Sequence, residues 1–298
     1  MPEAEPVAFP TDGGLTLRGL LYVPPSGGSH PAITMAHGYG GVVGESRLLA
    51  FAERFVAAGL AVLLHDHRTF GASDGEPRQD IDPWQQISDW RRAISYLEGR
   101  PEVDATRIGL WGTSYAGGHA LVLGATDRRL RAVVAQVPTI SGYEQGLRRV
   151  PAENVAALEE AFNSDDRAQL RGEAPRRQAL VSTDPNVPAA YRTQAAVDFY
   201  LEQSGKGGWD NSVTVRSTRA ARMYEPGVWA PRVTPTPLLM IVGNDDHLTP
   251  TDLALAAYER ALEPKRLTLI DGGHFAPYTT QFAVASQSAV DWFRDHLA

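Results

Sequence analysis

The sequence has no cysteine, which excludes disulfide staples, thiolate metal sites and cysteine nucleophiles; covalent catalysis needs another residue. It also has no run near the ~20 apolar residues that a membrane-spanning helix requires. The opening MPEAEPVAFPTDGG is acidic and Pro-rich, with no basic stretch leading into an apolar one, so a cytoplasmic protein is expected. Positive charge is in the minority: 28 Lys and Arg stand against 35 Asp and Glu, for a net charge of -7. The arginines are scattered rather than gathered in a stripe, so nucleic acid is not an expected partner. Repeats and low-complexity tracts are missing as well. What is there is ordinary globular composition, 298 residues of which 43% are apolar and 21% charged, enough for a large core.

From Leu15 to about Val137, short apolar runs alternate with segments of helical period, which predicts an α/β fold with a mostly parallel sheet covered on both faces. The runs are Ala32–Met35, Ala61–His65, Ile108–Trp111 and Ala132–Val137. Glu45–Ala58 reads as a helix with Leu48, Leu49, Ala52, Phe55 and Val56 on one stripe, ending at Gly59. A second helix follows Asp82 as cap and Pro83 at the first position, with Trp84, Ile87, Trp90, Ile94 and Leu97 as a core stripe before Gly99. Thr139 to about Pro237 has no comparable strand-like run and predicts an inserted lid (139–237), with helices over Ala152–Phe162 and Pro188–Gln203. The core (1–138 and 238–298) resumes with strands Leu238–Val242 and Leu267–Ile270, a helix over Thr251–Leu262 and a last helix over Gln281–Leu297.

The chemistry centres on Ile108–Gly118, IGLWGTSYAGG: an apolar strand, then Gly-Thr-Ser-Tyr-Ala, then glycines opening a helix. This is the pattern of a nucleophile elbow, in which a sharp strand-to-helix turn forces the nucleophile into strained dihedrals. Residues two positions away must then be small, as Gly112 and Ala116 are. An alcohol attacks poorly unless a base takes its proton, so Ser114 calls for a His after a late strand and an acid after the strand before it. Asp271-Gly272-Gly273-His274 follows the last strand, and Asn244-Asp245-Asp246-His247-Leu248-Thr249-Pro250 follows the preceding one. His274 is therefore the expected base and the Asp245–Asp246 pair the source of the acid.

Together, the order Ser114, acid, His274 and the upstream His37-Gly38 loop resemble the α/β-hydrolase superfamily over essentially the whole chain. The elbow GTSYAGG, the segment NDDHLTPTD and DGGHF look most like a branch of bacterial hydrolases and fungal polyketide transferases. The resemblance implies Asp246 as the acid, with two residues between it and the Thr249-Pro250 pair, and Asp245 as a turn-capping side chain. It also implies an oxyanion site from the amides of Tyr39, in the His37–Gly41 loop, and Tyr115, next to the nucleophile. His37 itself reads as structural. Asp66-His67-Arg68-Thr69-Phe70-Gly71-Ala72-Ser73-Asp74-Gly75 resembles the Asp-x-Arg-Gly-x-Gly-x-Ser-x-Gly segment of esterases and X-prolyl peptidase catalytic domains, with Thr69 in place of Gly; it reads as a turn beside the site.

His65, Asp66 and His67 invite a zinc reading, but strand alternation puts the imidazoles on one side and the carboxylate on the other, and no metal is expected. His119 is expected to pack or cap, and His30, His247 and His296 to lie on the surface or in loops. Tyr143, Phe162, Phe199, Tyr200, Trp209, Tyr224 and Trp229 either line a pocket or pack the lid; sequence leaves both open. The expected activity is a serine hydrolase acting on esters or thioesters, with no cofactor, a small-molecule acyl substrate and a homodimer left open. Two alternatives stand beside it: an acyltransferase or cyclase using the same acyl-enzyme, and a catalytically silent binding module.

Overall fold

The computed structural model describes residues 3–44 and 46–298. The expected βα alternation is preceded by a hairpin, β1 (Glu5–Pro10) and β2 (Thr16–Tyr22). It then runs β3 (His30–Ala36), α1 (Ser46–Ala57), β4 (Ala61–His65), α2 (Pro83–Glu98), β5 (Val103–Thr113), α3 (Tyr115–Thr126) and β6 (Leu130–Gln136). Between β6 and the next strand of the main sheet lie α4 (Gly142–Arg149), α5 (Ala152–Leu170), β7 (Arg177–Val181), β8 (Ala189–Tyr191), α6 (Gln194–Leu201), β9 (Val213–Thr214) and α7 (Val215–Arg222). The chain closes with β10 (Leu238–Gly243), α8 (Thr251–Arg260), β11 (Lys265–Ile270) and α9 (Phe282–Leu297). The start expected for α1 at Glu45 lies outside the described residues.

Eight strands form one sheet in the order β1-β2-β4-β3-β5-β6-β10-β11. All neighbours from β4 to β11 run parallel, while β1 and β2 are antiparallel additions at one edge. The central strands are near-continuous Val, Leu, Ile and Ala because helices cover both faces, and β4, AVLLH, is buried at every position. The hairpin escapes that reading: β1 carries Pro6 and Pro10, tolerated at an edge, and sends only Val7 and Phe9 inward.

Helix α2 starts as expected, with Asp82 Oδ1 accepting from the amides of Trp84 (2.9 Å) and Gln85 (3.1 Å). Its stripe buries Ile87, Trp90, Ile94 and Leu97 on the sheet, and Trp90 Nε1 donates to Thr34 Oγ1 at 2.8 Å. Trp84 corrects the expectation, being 55% exposed. It sits in the first turn, where its ring meets the edge of Tyr224 rather than the sheet. His30 is corrected in the other direction: it opens β3, its amide bonded to Glu102 O at 2.9 Å, and is buried rather than superficial. His247 is exposed, as expected, and His296 is half-buried, edge-on to Trp292.

Residues 139–237 depart most from expectation. The segment holds a three-stranded sheet, order β8-β7-β9, that sequence did not predict. Pro188 opens no helix: Ala189–Tyr191 pairs with β7, and α6 begins after Thr193, whose hydroxyl caps it by accepting from Ala196 N at 3.3 Å. Helix α5 runs eight residues beyond Phe162 to Leu170, through Asn, Ser and Asp that favour stopping. Packing overrides them: Asp165 is buried and accepts from Arg176 N at 2.8 Å, and Asp166 pairs with Arg219 of α7. No helix among the described residues is long and apolar enough to cross a membrane.

Candidate active site

The sheet brings its loops together at the carboxyl ends of β3, β5, β10 and β11, where open α/β sheets hold their ligands. At the end of β5, Ser114 has φ 56° and ψ −119°, the strained turn that the elbow requires. A Cβ on Gly112 would stand 2.2 Å from Ala116 O, and one on Gly117 2.9 Å from Pro138 Cα, so both are glycine because strand, helix and the next loop touch there. The turn is held by Ser114 N donating to Gln136 O (2.9 Å) and Ser114 O accepting from Thr139 N (2.9 Å).

Ser114 Oγ lies 2.9 Å from His274 Nε2, and His274 Nδ1 lies 2.8 Å from Asp246 Oδ2. The two loops that carry acid and imidazole are stitched together: Asn244 Nδ2 donates to Asp271 Oδ1 (3.0 Å), and Gly272 N donates to Asn244 Oδ1 (2.9 Å). Asp246 Oδ1 accepts from the amides of Leu248 (2.7 Å) and Thr249 (2.9 Å). Burial raises the Asp246 carboxyl, but the facing His274 and the Thr249 bonds outweigh it and hold it below the usual carboxylate value. Asp245 is turned out to solvent, 3.2 Å from His247, so of the two aspartates only Asp246 reaches the imidazole. Sequence reading used Thr249 only as a spacing mark. Its hydroxyl in fact lies 2.8 Å from Asp246 Oδ2, 3.0 Å from His274 Nδ1 and 3.0 Å from Val137 O, tying the acid loop to the end of β6.

The His37–Gly41 loop packs on Ser114, whose Cβ lies 3.2 Å from where a Gly38 Cβ would stand. His37 braces it: Nε2 accepts from His67 N (3.2 Å), which leaves Nδ1 as donor to Gly38 O (2.9 Å). The Tyr115 amide, in the first turn of α3, has no intrahelical acceptor. Two aromatics left undecided by sequence hold the loop from the other side. Tyr200 Oη donates to Tyr39 O at 2.8 Å and Trp209 Nε1 to Gly40 O at 3.0 Å.

The Asp66–Gly75 segment is a turn beside this loop. Asp66 accepts from Val43 N (2.7 Å) and Ala72 N (2.9 Å), while His65 and His67 share the other side, their ring centroids 5.4 Å apart. Thr69 occupies a left-handed position, φ 69°, where the resembled pattern has glycine. Its hydroxyl offsets that strain through bonds with Asp80 O (2.7 Å) and Asp80 N (3.1 Å). Under the elbow, His67 packs against His37, His65 and His119, and burial pushes His37 down to about 4 and His65 and His119 to about 3. His119 packs as expected, bonded to Tyr224 Oη (2.8 Å) and Gln86 Oε1 (3.0 Å).

A cavity of about 110 Å³ opens on Ser114, floored by Tyr39, Tyr115 and Thr139 and roofed by residues of the insertion, including Gln145, Leu158 and Tyr191. Phe199 and Tyr200 line a smaller space beside Ser114 and His274.

The family profile of X-Pro dipeptidyl-peptidases (S15 family) matches residues 12–276. The chain belongs to the S15 family. It is an α/β-hydrolase enzyme of the serine-hydrolase type. The chain is 36% identical to the quorum-quenching protein AidA of Acinetobacter baumannii, over 87% of this chain and 84% of the relative. It is 31% identical to the thiohydrolase aneE of Aspergillus aculeatus, over 88% of this chain and 83% of the relative. The crystal structure of the α/β hydrolase GrgF from Penicillium superposes with a TM-score of 0.86 at 29% identity, covering 99% of each chain.

Proposed function

We propose that the protein cleaves carboxylic esters or thioesters through an acyl-enzyme on Ser114. The observation that carries this reading is the unbroken line from Ser114 Oγ to His274 Nε2 (2.9 Å) and from His274 Nδ1 to Asp246 Oδ2 (2.8 Å). His274 Nε2 accepts the hydroxyl proton as Oγ bonds to the substrate carbonyl carbon, and Asp246 steadies the resulting imidazolium. The carbonyl oxygen takes up the negative charge between the amides of Tyr39 and Tyr115. Collapse of the tetrahedral adduct breaks the bond to the leaving alcohol or thiol, which receives the proton from His274. Water, deprotonated by the same imidazole, then releases the acid and restores Ser114.

In this reading, residues 139–237 act as a lid whose aromatics hold the oxyanion loop. The family's peptide-cleaving name is compatible with the same machinery, but a small cavity beside Ser114 suits an acyl group better than an extended chain. A second reading, acyl transfer, is favoured by an adjoining cleft of about 540 Å³ that shares the Tyr191 wall, reaches His274 and offers an acceptor an approach from that side. Both readings require an activated Ser114. Intact-mass measurement after fluorophosphonate treatment should give one adduct on wild type and none on Ser114→Ala, and p-nitrophenyl esters and acyl thioesters should turn over only with wild type. A folded wild type that takes no adduct and turns over no ester sinks the proposal.

A further inference from the structure

The cavity beside Ser114 has a one-sided wall. Its lining includes two guanidinium groups, Arg149 and Arg222, and no carboxylate among the described residues. Arg149 is partly engaged, donating to Leu248 O at 2.7 Å and lying 5.0 Å over the Tyr191 ring. Arg222 has neither a hydrogen bond nor an ion pair among the described residues, and its guanidinium packs against Gly146, where a Cβ would meet Nη1 at 2.5 Å. It also borders a neighbouring cleft with Glu144 and Glu225; Glu225 is taken up there by Ser141 Oγ (2.9 Å) and Tyr143 N (3.0 Å).

Two further polar groups on the cavity lining point the same way. Gln145 is 5% exposed, and its Nε2 is buried with no partner. Tyr115 is 4% exposed, and its Oη is likewise buried and unpartnered. Buried donors left unmade are costly, and such groups in a cavity are normally satisfied by what occupies it. All four side chains offer hydrogens, and the arginines add positive charge. Val150, Leu158, Ala189 and Leu248 give the same wall an apolar stretch.

We propose that this cavity selects acyl groups bearing an anionic oxygen, a carboxylate or an enolate, away from the scissile carbonyl, and that Arg222, Gln145 and Tyr115 read that oxygen. This rests on the acyl-enzyme reading above. A plain alkyl chain would fill the apolar wall but leave the donors unpaired, whereas an anionic oxygen meets donors at a charged site, where each bond discriminates by about tenfold or more.

The test compares p-nitrophenyl esters of equal chain length in three arms: plain alkyl, ω-carboxyl and β-diketone. Wild type should favour one or both oxygen-bearing arms over the alkyl arm by at least about tenfold in kcat/KM, and the arm that wins distinguishes carboxylate from enolate. Arg222→Met and Gln145→Leu should each collapse that ratio, with Arg222→Lys retaining part of it. A structural role alone would lower all arms in parallel and leave the ratio intact, which overturns the inference. Equal rates on all arms in wild type overturn it too, while leaving the acyl-enzyme reading standing, because the alkyl esters are still cleaved. Loss of every arm together with the fluorophosphonate adduct is the distinct failure of that parent reading.

Discussion

The sheet edge beneath Ser114 and the insertion above it are built on opposite rules. Beneath, the groups in line with Ser114 are spoken for: Asp246 takes two amides, a hydroxyl and an imidazole, and Ser114 is fixed at both its amide and its carbonyl. Above, Arg222 and Gln145 Nε2 face the cavity with partners unmade, and Tyr115 Oη meets them from the floor. Satisfied groups fix a geometry, and unsatisfied ones wait for a ligand. On the proposed reading, the lower half therefore owes its fixed geometry to chemistry and the upper half owes its open donors to selection.

The sharpest way to break this contrast is to remove the lower half's nucleophile. Ser114→Ala should reduce kcat on short esters by about 10⁴-fold or more while KM changes little, measured by steady-state kinetics. Asp246→Asn should follow at about 10³–10⁴-fold, and the exposed Asp245→Asn should stay within about threefold. If Asp245→Asn proved the more damaging of the two, the wrong carboxylate has been assigned.

Acid should attack the lower half next. The four clustered histidines are buried and neutral, with lowered pKa values, so between the unfolded value of 6.5 and about 4 the unfolded chain binds more protons than the folded one. Their stabilisation is complete above pH 6.5 and is lost as pH falls toward 4. At pH 5, His37 alone should cost about 2 kcal/mol relative to pH 8, visible as a lower midpoint in denaturant. A flat stability profile between pH 8 and pH 5 would mean that the cluster is not buried in solution as drawn.

A smaller effect should come from the seam between the halves. Tyr200→Phe removes the donor to Tyr39 O and should lower kcat about tenfold, with about 1 kcal/mol of stability lost in a denaturant titration. A rise in KM with kcat unchanged would place Tyr200 in substrate contact instead of loop support.

The same division governs how far the sequence could be read. The strands around Ser114 are runs such as AVLLH and LLMIVG, buried on both faces, and their apolar continuity survives in one dimension. The elbow, His274 and Asp246 could be found because each sits where a strand ends and small residues announce a turn. In the insertion, Ala189–Tyr191 is a strand only because β7 lies beside it, and α5 passes its polar stretch only because α7 and Arg176 hold Asp165 and Asp166. Those are tertiary decisions with no local signature. Thr249 was visible as a letter but not as a hydroxyl shared by acid, imidazole and β6. Trp84 matched its stripe and still lay outside, because helical period does not say where the sheet stops.

The carbonyls of Tyr39 and Gly40 are held by Tyr200 and Trp209, which belong to a different stretch of chain from the loop they support. Modular exchange among relatives is constrained accordingly. Replacing residues 139–237 with a relative's counterpart to change specificity would also withdraw two anchors of the His37–Gly41 loop. A chimera made by cutting at β6 and β10 keeps that loop anchored only if the donated piece brings its own phenol and indole to the same two carbonyls.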